Sequence, residues 1–289
     1  MDSGLAAARC PGVTVRDMSS SFKDFSGTLV LVGAGKMGGA MLEGWLALGL
    51  DPAKIAIMEP KPSDNITALA ARGVRLNPAS VNDASVIVIA IKPQEAAAVV
   101  PTLKPLTNAN TVAISIMAGP KIGFLRGALG DIAIVRSMPN TPAAIGRGIT
   151  VAVPNARVSR DQRTLADTLL HAVGVVEWID DETLIDAVTA VSGSGPAYVF
   201  LLAESLARAG AAAGLPADLA DRLARATVSG AGELLHRSSH DAAMLRENVT
   251  SRGGTTAAAL GILMADDGLG PLMDRAVAAA TKRSRELAG

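Results

Sequence analysis

Apolar residues come in short blocks along the first part of the chain. Leu29-Val30-Leu31-Val32 is an aliphatic run. A helical pattern follows it, with Met37, Met41, Leu42, Trp45 and Leu48 on one face and Gly49 at its end. Ile55–Met58 predicts a second strand, and Ser63–Arg72 a helix stopped by Gly73. Val86–Ile91 is apolar throughout, as a parallel strand covered on both faces is, and Lys92-Pro93 ends it. Thr111–Ile116 predicts a strand, Ile122–Leu129 a helix, Ile132–Val135 a strand, Asp161–Val173 a helix and Val175–Ile179 a strand. This alternation predicts an α/β fold with a doubly wound, mostly parallel sheet and right-handed crossovers. From about residue 183 the strand pattern stops. Ala- and Leu-rich segments at Ala197–Gly214, Leu219–Leu235, Thr256–Asp266 and Leu272–Leu287 predict an all-helical remainder. Small residues such as Ala203, Ala207, Ala211, Ala224 and Gly230 let these helices approach closely. Helices this apolar do not cover themselves, which predicts a two-fold helical interface with a second copy.

The first strand runs directly into Gly33-Ala34-Gly35-Lys36-Met37-Gly38, and the first helix starts there. This is GxGxxG in the context that gives it meaning, strand before and helix after. Gly33 permits the tight turn, Gly35 lets a pyrophosphate approach the backbone, and Gly38 lets helix and strand pack closely. The helix N-terminus supplies N–H donors and the positive end of a dipole. These features make the predicted sheet a Rossmann dinucleotide-binding domain. Glu59 ends the second strand, where an acidic residue holds ribose hydroxyls in such folds. Its other reading is an ordinary loop carboxylate. A carboxylate facing the site would repel a 2′-phosphate and favour NADH, and Lys61 could offset it, so the cofactor stays open between NADPH and NADH. Ligands bind at the carboxyl ends of parallel strands, which aligns Gly33–Gly38, Glu59, Ala90–Pro93, Met117–Gly119 and Ser137–Pro142 along one rim.

The 289 residues suffice for about two domains, at ~150 residues each. With 49% hydrophobic and 19% charged residues the composition is that of a folded protein. Lys+Arg and Asp+Glu are both 27, and only seven aromatics occur (four Phe, two Trp, one Tyr), which argues against a nucleic-acid partner. Cys10 is alone, so no internal disulfide or thiolate metal site is expected. His236 and His240 have i,i+4 spacing, but Arg237 follows the first, so the HExxH zinc pattern is absent and no metal is expected. No run approaches the ~18 apolar residues of a membrane span. Met1–Gly27 lacks the apolar core of a signal peptide, and its centre Met18-Ser19-Ser20-Ser21 predicts a flexible tail. A cytoplasmic location and no membrane partner are the resulting expectations.

Three polar segments interrupt the apolar pattern. Arg136-Ser137-Met138-Pro139-Asn140-Thr141-Pro142 follows a strand. Val191-Ser192-Gly193-Ser194-Gly195-Pro196-Ala197-Tyr198 opens the first long helix. Asn248-Val249-Thr250-Ser251-Arg252-Gly253-Gly254-Thr255-Thr256 opens another. Singly, each reads as a turn or a helix cap. A Gly-Gly-Thr-Thr turn into a helix also offers several free N–H groups and two hydroxyls, a seat for a carboxylate. With MPNTPA, AVSGSGPAYVF and VTSxGGTT in this order and spacing, residues 28 to 288 resemble the pyrroline-5-carboxylate reductase family of proline biosynthesis.

The resemblance implies reduction of 1-pyrroline-5-carboxylate to L-proline by hydride transfer from NADPH or NADH to the cyclic C=N bond. It implies a Rossmann domain at 28–182, after a tail at 1–27, and a helical dimerisation and substrate domain at 183–289. The active site would lie between them and be completed across a homodimer, which could assemble further as a ring of dimers. Carried over by position, the cofactor contacts fall on Gly33, Ala34, Gly35, Lys36, Met37 and Gly38, on Glu59 and Asn77, and on Ala90, Ile91, Lys92 and Pro93. They continue to Ile116, Met117 and Ala118, with Asn248 from the helical part. Substrate contacts fall on Glu182, Gly254, Thr255 and Thr256, with Thr256 offering its hydroxyl to the ring nitrogen. Arg252 stands where the family pattern has Pro, and His240–Glu247 is about one residue longer than usual.

A β-hydroxyacid dehydrogenase-like enzyme shares the two-domain plan but resembles a pattern with a catalytic Lys on the first long helix. Seven of the eight lysines here precede that helix, and Lys282 lies far beyond it. A non-catalytic nucleotide-sensing protein is the other alternative, disfavoured by the intact Gly253-Gly254-Thr255-Thr256.

Overall fold

The strands are β1 (Thr28–Val32), β2 (Ile55–Met58), β3 (Arg75–Leu76), β4 (Ala84–Ile89), β5 (Val112–Ser115), β6 (Ala133–Met138), β7 (Gly148–Pro154) and β8 (Gly174–Trp178). They form one sheet in the order β3-β2-β1-β4-β5-β6-β7-β8 in this computed structural model, which describes Phe22 and residues 25–81 and 84–287. Neighbours are parallel except β6 and β7. Leu29 is paired with Ile55 on one side and Val86 on the other, so the strand order reverses direction at β1. A doubly wound sheet opens a crevice for ligands at that place.

The sheet is covered on both faces because side chains two apart share a face. Leu29, Leu31, Val86 and Val88 pack with Met41, Leu42 and Trp45 of α1 (Lys36–Ala47). Val30, Val32, Ile87 and Ile89 pack with Val100 and Leu103, and with Leu125 and Leu129 of α4 (Ile122–Leu129). Each such side chain contributes about 1.5–3 kcal/mol on burial. Trp45 is fully buried and donates its indole N–H to the Leu169 carbonyl at 2.8 Å, tying α1 to α5 (Arg160–His171). Of the expected tail, residues 1–21, 23 and 24, with Cys10 among them, lie outside the described residues. Phe22 is buried in the Trp45 cluster and Phe25 packs against it.

The expected elements recur with small shifts, and five more join them: β3, β7 and three short helices at Ala96–Val99, Ile185–Val188 and Ala242–Asn248. α2 (Asp64–Leu69) starts at Ser63, whose hydroxyl accepts the Ile66 N–H, and is prolonged by a tight turn that ends at Gly73. α3 (Ala96–Val99) is a single turn, and β3 is a two-residue edge; neither is long enough to show a period. β7 follows β6 after one short turn, Thr141–Ile145, and therefore runs antiparallel. That pairing extends β6 through Met138, so Arg136–Met138 is strand, where the sequence reading had a loop. α6 (Ile185–Val188) passes through a π-turn at Thr189–Gly193 into α7 (Gly195–Ala212). Against the expectation that no stretch approaches a membrane span, the continuous helix over Glu182–Ala212 is long and apolar enough, by length and composition alone, to cross one. α8 (Ala217–Arg237), α9 (Ala242–Asn248), α10 (Thr255–Leu263) and α11 (Leu269–Leu287) complete the chain. α9, like α3 and α6, is a helix the sequence pattern passed over.

The described residues divide into two compact units, one running to Pro196 and including the chain from Val277, the other Ala197–Ala276. In the second unit α7, α8, α9 and α10 bury only Ala220 and Ala224, while Phe200 is 68% and Ile262 76% exposed. In the first, the end of α11 is pinned by a buried bond: the Ser284 hydroxyl donates to Asp186 Oδ1 at 2.6 Å. Arg285 Nε stands 3.9 Å from the other carboxylate oxygen. Ser284→Ala should leave that carboxylate short of a donor and cost about 1–3 kcal/mol. A lowered melting temperature, with faster amide exchange at the end of α11, is the expected outcome. Exchange unchanged there would mean the bond does not hold the helix.

Candidate active site

Beyond Val32 the chain turns at Gly33, whose φ is +89°. A Cβ at Gly33 would also stand 2.7 Å from the Ala90 carbonyl oxygen. One at Gly38 would stand 2.3 Å from the Gly33 carbonyl oxygen. Both glycines are required by the protein itself. At Gly35, in contrast, a Cβ meets nothing within 4 Å. Gly35 is the N-cap of α1, with no side-chain capping bond and no acidic residue in the first turn. The first-turn N–H groups thus face an open space with the positive end of the helix dipole behind them. This fits the pyrophosphate of a dinucleotide.

A cavity of about 1150 Å³ lies over this turn. Gly33, Ala34, Gly35, Lys36, Glu59, Asn77, Ala90, Ile91 and Lys92 line it, so most of the expected nucleotide contacts come together. Glu59 Oε2 accepts the Ala34 N–H at 2.9 Å and Oε1 the Lys61 N–H at 3.0 Å. The Asn77 amide bridges the Glu59 backbone, accepting its N–H at 2.8 Å and donating to its carbonyl at 2.9 Å. Met37, Gly38, Pro93, Ile116, Met117 and Ala118 do not line the cavity. Met37 packs toward the core, while Ile116 and Met117 are buried, the Ile116 N–H donating to Ile89.

Glu182, expected at the substrate, has its carboxylate engaged within the sheet unit. Oε1 accepts Arg136 Nη1 at 2.9 Å and the Ile122 N–H, the first of α4, at 2.8 Å. Arg136 is 2% exposed and also donates from Nη2 to the Gly119 carbonyl at 3.2 Å. Arg136 lies in β6, not in the loop that its polar segment predicts. One arginine closing an apolar strand was the signal for a buried pair. Beside it, the Thr183 hydroxyl and then the Thr183 N–H hold the Asp181 carboxyl below its usual range.

In the helical unit Asn248 is the last residue of α9. Gly253, at φ +74°, turns the chain. A Cβ at Gly254 would collide with Ser251 Oγ at 2.4 Å. Gly254 is the N-cap of α10, again without a side-chain cap, and Thr255 and Thr256 are its first two residues. Among the described residues neither threonine hydroxyl has a hydrogen-bond partner, and Arg252 is exposed without an ion pair. Free helix N–H groups beside two free hydroxyls suit a carboxylate-bearing ligand.

A nucleotide turn at the switch point of a doubly wound sheet, followed by helices, defines a dinucleotide-dependent oxidoreductase. The profile described as "NADP oxidoreductase coenzyme F420-dependent" matches residues 28–119, and that of pyrroline-5-carboxylate reductase dimerisation matches residues 182–287. The chain is 40% identical over 264 residues to the pyrroline-5-carboxylate reductase of Pseudomonas aeruginosa, covering 90% of this chain and 96% of that one. A pyrroline-5-carboxylate reductase structure from Coxiella burnetii superposes with a TM-score of 0.84 at 33% identity, over 91% of this chain and 99% of that one. The Plasmodium falciparum enzyme, with NADP bound, gives 0.77 at 28% identity, over 91% and 99%. The chain belongs to the pyrroline-5-carboxylate reductase family.

The glycine geometry separates two substitutions. Gly35→Val should fold with a near-native melting temperature yet bind no reduced cofactor, because its side chain takes the pyrophosphate's place. Gly38→Val should instead lower stability by about 1–3 kcal/mol or more, through overpacking. Titration calorimetry and thermal melts on both variants check this; tight cofactor binding by Gly35→Val would remove the cradle.

Proposed function

We propose that this protein reduces 1-pyrroline-5-carboxylate to L-proline with NADPH or NADH, the last step of proline biosynthesis. The carrying observation is the pairing of an open glycine cradle at Gly35 with an uncapped Gly254-Thr255-Thr256 helix start, in a chain that covers its reductase relatives nearly end to end. The bound reduced nicotinamide supplies a hydride for the C=N carbon. The chain's part is binding and orientation. The α1 N-terminus and Lys36 hold phosphate charge, and Glu59 sits at the ribose. The backbone around Gly254-Thr255 holds the substrate carboxylate. A protonated cyclic imine is already electrophilic, so Thr256 need only hydrogen-bond the ring nitrogen and steady it as it becomes an amine. Among the α7 residues the only charged side chains are Glu204 and Arg208, so the lysine of the β-hydroxyacid dehydrogenase pattern has no counterpart there.

Residues 28–182 serve as the nucleotide domain and 183–289 as the dimerisation and substrate domain, after a tail at 1–27. The dimerisation profile from residue 182 supports this division. A homodimer covers the exposed apolar side chains of α7, α8 and α10. The same need accounts for the apolarity of Glu182–Ala212 without a membrane partner. A ring of dimers and a cytoplasmic location complete the reading, in line with a water-borne substrate and cofactor.

Thr256 provides the test. It is the second residue of α10, and Gly254 is the cap, so Thr256 does not cap this helix. A hydroxyl–nitrogen bond strengthened in the transition state is worth about 1.5–3 kcal/mol. Thr256→Ala should therefore lose roughly ten- to more than a hundredfold in kcat/KM. Thr256→Ser should lose much less, and neither should change the melting temperature or cofactor affinity. Cofactor oxidation on addition of 1-pyrroline-5-carboxylate reads the rates. Full activity of Thr256→Ala would remove the proposed role.

A further inference from the structure

The charges lining the cavity over the glycine turn cancel: Lys36, Lys61 and Lys92 stand against Glu43, Glu59 and Glu95. Among the described residues no arginine lines it. A ribose 2′-phosphate is a dianion, and its recognition calls for cations at the end of β2, best an arginine fork. At that place stands Glu59. Its carboxylate is fixed by two backbone donors, Ala34 N–H on Oε2 and Lys61 N–H on Oε1. Each oxygen keeps acceptor capacity for a further donor. A ribose hydroxyl can supply that donor and a phosphate cannot. Lys61 is exposed and forms no ion pair with Glu59 among the described residues, so a single solvated ammonium is what would oppose the carboxylate.

Asn77 fixes the place of that carboxylate. It is the one non-glycine among the described residues with positive φ, at 45°. Its N–H donates to the Ile57 carbonyl at 2.7 Å, and its side-chain amide closes on both backbone groups of Glu59. Asparagine tolerates the left-handed region, and here that conformation turns the amide back onto the end of β2. With Oδ1 and one N–H of the amide occupied in this way, the side chain serves Glu59 before any ligand.

We propose that Glu59 is a specificity-determining residue that makes the cavity take NADH in preference to NADPH, and that Asn77 is the positioning residue that holds it. This rests on reading the cavity as the dinucleotide site, and it adds which dinucleotide. The discriminating interaction is between the Glu59 carboxylate and the ribose 2′ position: an accepted hydroxyl in one case, like charges in contact in the other.

The experiment is calorimetric titration of the full-length protein, without substrate, using NADH, NADPH, ADP-ribose and 2′-phospho-ADP-ribose. The wild type should bind NADH and ADP-ribose about tenfold or more tighter than their 2′-phosphorylated counterparts. Glu59→Ser, and the isosteric Glu59→Gln should the first fold poorly, should shrink that ratio by about tenfold. Asn77→Gly keeps the left-handed backbone and deletes the amide bridge; it should lower the ratio with its melting temperature little changed, and a merely conformational role would leave the ratio alone. Equal wild-type affinities for the two dinucleotides, or a ratio unmoved in both Glu59 variants, overturns the specificity claim and leaves the reductase reading standing. A wild-type ratio in Asn77→Gly overturns its positioning role. Failure to bind either dinucleotide would instead overturn the dinucleotide reading itself.

Discussion

The backbone at Gly33 and Gly38 lies so near the end of β4 and to itself that Cβ atoms there would come within 2.7 Å of the Ala90 carbonyl oxygen and 2.3 Å of the Gly33 carbonyl oxygen. Close-packed backbone of this kind fixes the direction in which α1 leaves the sheet. Trp45 then locks the far end of that helix to α5 through Leu169. With the helix held at both ends, its N-terminus points its free N–H groups at one spot, and Gly35 keeps that spot open. The Glu59 carboxylate joins the same construction by accepting the Ala34 N–H at 2.9 Å. The open spot at Gly35 is thus a by-product of how tightly the first βα unit packs.

A second set of contacts pins the helical segments that border the sheet. Arg136 is buried with one guanidinium nitrogen on Glu182 and another on the Gly119 carbonyl, and the same Glu182 oxygen takes the first N–H of α4. Buried charges hold position well when each has its partners, and cost several kcal/mol when one partner is removed. Arg136 Nε is buried with no partner among the described residues, so this pair is satisfied in part only. The carboxylate carried over as a substrate contact thereby has a structural task of its own in the sheet unit.

Local pattern made the long elements legible. The aliphatic runs of β1, β2, β4 and β5, the boundaries of α4 and the GxGxxG turn follow from periodicity and glycine placement, because those signals are local. What escaped depends on partners distant in sequence. β3 is two residues that become strand only beside Ile57, and β7 is held as strand between β6 and β8. The Arg136–Glu182 pair spans 46 residues, and the Asp186–Ser284 bond spans 98. No spacing rule reaches that far. At the site, the glycine turn was readable from its flanking strand and helix, whereas Glu59 carried two readings in sequence and stands beside that turn through its bond to the Ala34 N–H. Asn77 was placed there by resemblance alone, and its bridge to the Glu59 backbone became visible only in three dimensions.

The chain delivers a hydride to the C=N carbon of a cyclic imino acid. Running the reaction with reduced nicotinamide cofactor deuterated at C4 tests it most directly, with the product examined by mass spectrometry and proton NMR. The expected result is L-proline carrying a single deuterium on the ring carbon beside nitrogen that does not bear the carboxylate, from one C4 deuterium epimer of the cofactor and not the other. Proline without deuterium at that carbon from either epimer, or cofactor oxidised with no proline formed, would rule out hydride transfer to the imine carbon.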